Sequence, residues 1–94
     1  MLDKKTVMKE LEKVIDPEIG TSIVELELVD KIEIENGTVA VDFHVTAPYC
    51  PPMLAMKMAF DIKDVVSRIP DVKSVRISMS GHYLSAELNK EVNK

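Results

Sequence analysis

Lys31-Ile32-Glu33-Ile34-Glu35-Asn36-Gly37-Thr38-Val39-Ala40-Val41-Asp42-Phe43-His44-Val45-Thr46 decides the fold of this chain. Ile32 and Ile34 alternate with Lys31, Glu33 and Glu35, while Val39, Val41, Phe43 and Val45 alternate with Ala40, Asp42, His44 and Thr46. A period of two is that of strands with one buried face. Asn36-Gly37 between the two runs suits a type I′ turn, whose central residues both need positive φ. A two-residue loop fixes the register: Ile34 faces Val39, Ile32 faces Val41, and Lys31 lies opposite Asp42 on the polar side. A third run near Val72 to Met79 sets Val75, Ile77 and Met79 against Ser74, Arg76 and Ser78. All three strands have one apolar face, so the sheet is covered on one side only.

The cover comes from flanking segments with a helical period. Val7, Met8, Leu11, Val14 and Ile15 make one apolar stripe. Asp3 suits the N-cap, with Leu2 and Val7 as a hydrophobic staple. Pro17 disfavours helix at Asp16 and stops this one near Ile15 or Asp16. A polar loop, Asp16-Pro17-Glu18-Ile19-Gly20, leads to a strand-like run at Ile23 and Val24. The second helix runs from about Pro51 to Ile69, with Ala55, Met58, Ala59, Ile62, Val65, Val66 and Ile69 facing the core. Both helices belong in one layer against Ile32, Val41 and Ile77. The predicted architecture is an α+β, two-layer α/β sandwich of order α-β-β-α-β on a small mixed or antiparallel sheet. The tail from Gly81 to Lys94 reads as a short fourth element or a surface helix.

Ninety-four residues suffice for one domain spanning 1–94. The net charge of −4 lacks the basic footprint of a nucleic-acid binder. The apolar runs are too short to cross a bilayer, and Lys4-Lys5 lead straight into an amphipathic pattern rather than a signal peptide. A cytoplasmic protein with neither nucleic acid nor membrane as partner is expected.

Cys50, the single cysteine, precedes Pro51 and Pro52 at the start of the second helix. Two readings stand. A lone cysteine can be a small buried hydrophobe. At a helix N-terminus, however, free N–H groups and the macrodipole favour the thiolate, which attacks electrophiles and binds metals. His44 and His82 both read as solvated surface residues. Asp16 and Glu18 read either as turn-forming groups or as hard oxygen donors near the thiol. Met53, Met56 and Phe60 form a second stripe on the helix, covered by the N-terminal loop or the tail, or presented to a partner.

Asp16-Pro17-Glu18-Ile19-Gly20, Ser22-Ile23-Val24-Glu25-Leu26, Leu28-Val29, the Asn36-Gly37 hairpin and Thr46-Ala47-Pro48-Tyr49-Cys50-Pro51 together resemble the signatures of the SufT/PaaD-like metal-sulfur cluster assembly family. The resemblance reaches to about Met79. It implies an iron-sulfur cluster assembly domain-like fold and a non-enzymatic, accessory role in iron-sulfur cluster assembly or delivery. Cys50 is then the functional thiol and a transient metal ligand, with Asp16, Glu18 and Thr46 around it. The implied cargo is a transient iron-sulfur cluster or iron, shared between chains because one thiol is far short of a cluster's ligand set. The implied partners are iron-sulfur assembly proteins, apo-protein clients docking over Met53, Met56 and Phe60, or a second copy in a homodimer. A persulfide sulfur carrier and a client-recruiting interaction module are the alternatives. Two positions depart from the family pattern: Glu27 replaces a common glycine, and His82-Tyr83 stands where many relatives carry tryptophan.

Overall fold

The computed structural model describes residues 2–94. The main sheet has three strands: β3 (Val29–Glu35), β4 (Thr38–His44) and β5 (Ser74–Ser80), in the order β3-β4-β5. β3 and β4 are antiparallel, with Ile34 opposite Val39, Ile32 opposite Val41 and Lys31 opposite Asp42. The predicted hairpin register therefore holds residue for residue. Asn36 and Gly37 both have positive φ, at 49° and 85°, as the type I′ turn requires. β5 runs parallel to β4, and the connection crosses over through helix α2 (Pro52–Ser67). The sheet is thus mixed. Near the start of β3 the register shifts between Val29 and Lys31, setting off Asp30, whose carboxylate accepts from His44 Nδ1 at 2.9 Å.

Helix α1 (Lys4–Leu11) begins at an Asp3 N-cap, whose carboxylate accepts from the Thr6 N–H at 2.8 Å. That bond holds the Asp3 carboxyl below its ordinary value. The helix ends several residues before the position Pro17 suggested. The Lys13 and Val14 N–H groups instead bond back to Glu10 and Leu11 in a tight turn. Val14 is buried there, but Ile15 is exposed in a two-residue strand, β1 (Ile15–Asp16), paired with β2 (Thr21–Ser22).

Ile23 and Val24 are not a strand. The Leu26 N–H donates to Ser22 O, the Leu28 N–H to Ile23 O and the Glu27 N–H to Val24 O. This is one helical turn closed by a Schellman motif, with Glu27 in the left-handed position at φ 57°. The sequence departure at Glu27 leaves the backbone in a glycine-like conformation, occupied by a residue that is strained there.

The core lies between the helices and one sheet face. Phe43, Leu11, Ile23, Leu28, Met58 and Ile62 are fully buried. Burial alternates strictly along β5, with Val75, Ile77 and Met79 inward. The predicted α2 stripe is buried except at Val65, which is half-buried.

The tail forms helix α3 (Ser85–Val92), which seats Leu88 and Val92 in the core. It also lies along the free edge of β5. The N–H of Ile77 donates to Asn93 Oδ1 (2.8 Å), and Asn93 Nδ2 donates back to Ile77 O (2.7 Å). Asn89 makes the same pair of bonds with Met79, at 2.7 and 3.0 Å. Residues i and i+4 of a helix stand about 6 Å apart along its axis, close to the roughly 6.6 Å between i and i+2 of a strand. Two asparagines thus replace a missing fourth strand. No helix among the described residues is long and apolar enough to cross a membrane.

Candidate functional site

Parallel pairing of β4 and β5 brings their C-terminal ends to the end of the sheet where β3 begins. Three loops meet there. The first leaves β4 through a bend at exposed Thr46 and closes a turn by the Cys50 N–H bonding to Ala47 O at 3.2 Å. Pro51 is the N-cap of α2, and it offers no side-chain cap. The first amides of the helix, those of Leu54 and Ala55, donate to Pro51 O, so the ladder starts one residue beyond Cys50.

The second loop carries the carboxylates. Asp16 is almost wholly buried; its Oδ1 accepts from the Glu18 N–H at 2.9 Å, and its backbone oxygen accepts from the Ile19 and Gly20 N–H groups. This tight turn brings the Glu18 carboxylate close enough to act electrostatically on the Cys50 thiol, whose own hydrogen bond runs from Sγ to Pro51 O at 3.7 Å. The fold therefore brings Asp16, Glu18 and Cys50 together, as the sequence suggested, across more than thirty residues of chain.

The expected thiolate is not there. Cys50 is only 6% exposed, and burial pushes its thiol up from the ordinary 9.0 to about 12, with Glu18 and then Asp16 adding to the shift. The Ala55 N–H at the head of α2 works in the opposite direction. The helix N-terminus acts in the expected direction, but lost hydration and two carboxylates outweigh it. The resting group is a neutral thiol, which is a poor nucleophile and a poor metal ligand until its proton leaves.

The third loop was misread from the sequence. Gly81 has φ 82°, and a Cβ there would stand 3.3 Å from Val45 O, so glycine alone fits this turn out of β5. The turn folds His82 inward to 6% exposure. Its Nε2 lies 2.6 Å from Cys50 O, while its Nδ1 accepts from the Leu84 N–H at 2.9 Å. Next to it the Tyr83 N–H donates to Pro48 O at 3.0 Å, and the Tyr83 ring packs on His82 and Tyr49. A glycine just after a strand, followed by two aromatic residues, was the available signal. His44 is the surface histidine expected, paired with Asp30.

Of the predicted methionine stripe, Met53 and Phe60 are exposed, at 84% and 47%. Met56 is half-buried against the core, so the stripe is interrupted. Tyr49 and Tyr83 are exposed beside the thiol instead.

Among the described residues, no group of three or more His, Cys, Asp or Glu side chains could hold a metal ion. Every buried side-chain nitrogen or oxygen among them has a hydrogen-bond partner. The donor set therefore fits one thiol ligand with carboxylates beside it, and falls short of a complete metal or cluster site.

Known proteins share this arrangement of elements. A crystal structure of a DUF59 domain from Bacillus anthracis superposes with a TM-score of 0.75 at 32% identity, over 82% of this chain and 73% of that one. An uncharacterized protein of Methanocaldococcus jannaschii is 35% identical over 96% of this chain and 94% of its own length. The Fe-S protein maturation auxiliary factor YitW of Bacillus subtilis is 33% identical over 79% of this chain and 72% of its own. The iron-sulfur cluster assembly protein family matches residues 4–79, from the first turn of α1 almost to the end of β5, and the chain belongs to that family.

Proposed function

We propose that residues 1–94 act as one cytoplasmic domain, a non-enzymatic accessory factor in iron-sulfur cluster assembly or delivery, with Cys50 as a transient ligand to iron or to a cluster in transit. One observation supports this reading: in a chain of this family the single thiol is buried at the sheet end where the loop of buried Asp16 and of Glu18 meets its own. A protonated thiol is guarded against oxidation and alkylation. It becomes a ligand only when an incoming positive charge or a docking partner offsets the two carboxylates. The Sγ proton then passes to the neighbouring Glu18 carboxylate and returns when the cargo leaves.

The remaining ligands come from outside the chain, from an assembly protein, an apo-protein client or a second copy. Exposed Met53 and Phe60 on α2, with Tyr49 and Tyr83 by the thiol, offer apolar footing for such a protein.

The test is anaerobic loading with iron and sulfide, followed by transfer to an apo-protein client and by sedimentation. Cys50→Ser is expected to abolish transfer, and Glu18→Gln, which removes the neighbouring proton acceptor, to weaken it while preserving the fold. Phe60→Asp is expected to slow transfer without changing the thiol. Normal transfer by Cys50→Ser, or a full cluster held by a monomer, refutes the proposal.

A further inference from the structure

The carbonyl of Cys50 has an unusual place in the chain. It precedes two prolines and lies outside the α2 ladder, because the first helical amides bond to Pro51 O. A buried carbonyl without a donor is costly, and here the donor is His82. The roles of its two nitrogens follow from their partners. Nδ1 accepts from the Leu84 N–H, so it carries no proton, and the single imidazole proton sits on Nε2 and is donated to Cys50 O. The histidine is itself fixed from behind: its N–H donates to Ser85 Oγ, and the Ser85 hydroxyl donates back to its carbonyl at 2.8 Å. With the Tyr83 N–H on Pro48 O, two consecutive residues grip two alternate carbonyls of the thiol loop. Gly81, whose conformation allows this, and both gripping residues lie beyond the matched residues 4–79.

We infer that His82 is the positioning residue of the Cys50 site, a neutral Nε2–H donor whose bond to the Cys50 carbonyl holds the loop closed over its buried thiol. The inference rests on Cys50 being the functional thiol. Sγ and the carbonyl belong to one residue, so anchoring the carbonyl and the adjacent turn fixes where the sulfur points. Without the anchor the Pro48–Pro51 segment has no long-range hydrogen bond to the sheet end other than that of Tyr83, and the thiol becomes accessible in the open loop.

The full chain is treated with iodoacetamide under native conditions, and imidazole nitrogens are read by NMR. His82→Ala is expected to raise the Cys50 alkylation rate about tenfold, the change for losing one net hydrogen bond from the closed loop. His82→Gln, whose amide can still donate to the carbonyl, is expected to restore most of the protection. Val39→Ala, a core truncation at the far end of the sheet, is the control for general destabilisation and is expected to leave the rate unchanged. The wild-type His82 spectrum should show the proton on Nε2. Wild-type reactivity in His82→Ala, equal acceleration in Val39→Ala, or a proton on Nδ1 overturns the inference. Normal transfer by Cys50→Ser defeats the functional reading separately, since the alkylation results report on the loop alone.

Discussion

The two ends of the sheet are built on different principles. At the hairpin end, local turn chemistry does the work: Asn36-Gly37 joins β3 to β4, and Ile69-Pro70-Asp71-Val72 forms a turn closed by the Val72 N–H on Ile69 O. The Lys73 and Ser74 N–H groups then bond to Gly37 O. Its left-handed positions hold Asn36, Gly37 and Asp71, types that tolerate that conformation. At the Cys50 end, the buried His82 side chain reaches across thirty-two residues to hold the thiol loop, and the left-handed positions include Glu27 along with Gly20 and Gly81. One end is cheap to build and insensitive to its surroundings. The other keeps a buried thiol, a buried carboxylate and a buried histidine in register, as expected of a site maintained for something besides stability.

Alkaline pH should separate the two ends most strongly. The folded Cys50 thiol titrates near 12 against 9.0 when unfolded. The unfolded chain therefore releases this proton first, and the contribution is intact below pH 9 and lost progressively as pH rises from there toward 12. The shift corresponds to about 4 kcal/mol at most. Denaturant melts of wild type and Cys50→Ala across that range should show the wild type losing more stability; parallel profiles would mean the thiol is not held as described. Gly37→Ala comes next. It forces alanine to φ 85° with its Cβ 2.9 Å from Lys73 Cγ, and should cost about 2 kcal/mol in equilibrium unfolding. If the ends are independent, native alkylation of Cys50 stays unchanged in that variant; acceleration would show that they are coupled. The smallest effect is a gain: Glu27→Gly relieves strain at an exposed position and should stabilise by about 0.5–1 kcal/mol, less the entropy glycine adds to the unfolded chain. A loss of stability would place Glu27 in an interaction that offsets its backbone strain.

Legibility in the sequence divides the same way. The hairpin register, the β5 alternation and most of the α2 stripe were readable because period and turn chemistry are local. The end of α1 was not, since Val14 and Ile15 fit a helical stripe as well as the turn and bridge that form; pairing with Thr21 and Ser22 decides between them. The meeting of Asp16 and Glu18 with Cys50 was anticipated, yet its electrostatic outcome was not. A local helix dipole can be read from prolines, whereas burial and two carboxylates from another loop cannot. His82 was missed for a related reason: its donor role depends on a carbonyl thirty-two residues away.

The asparagine pair of Asn89 and Asn93 has a consequence for solubility. In a chain shortened after Ser80, β5 would carry outer N–H and C=O groups at Ile77 and Met79 with no protein donor or acceptor. Such an edge is a template for intermolecular pairing. The segment 85–94 thus covers an edge as well as filling the core, and protein lacking it should aggregate through β5.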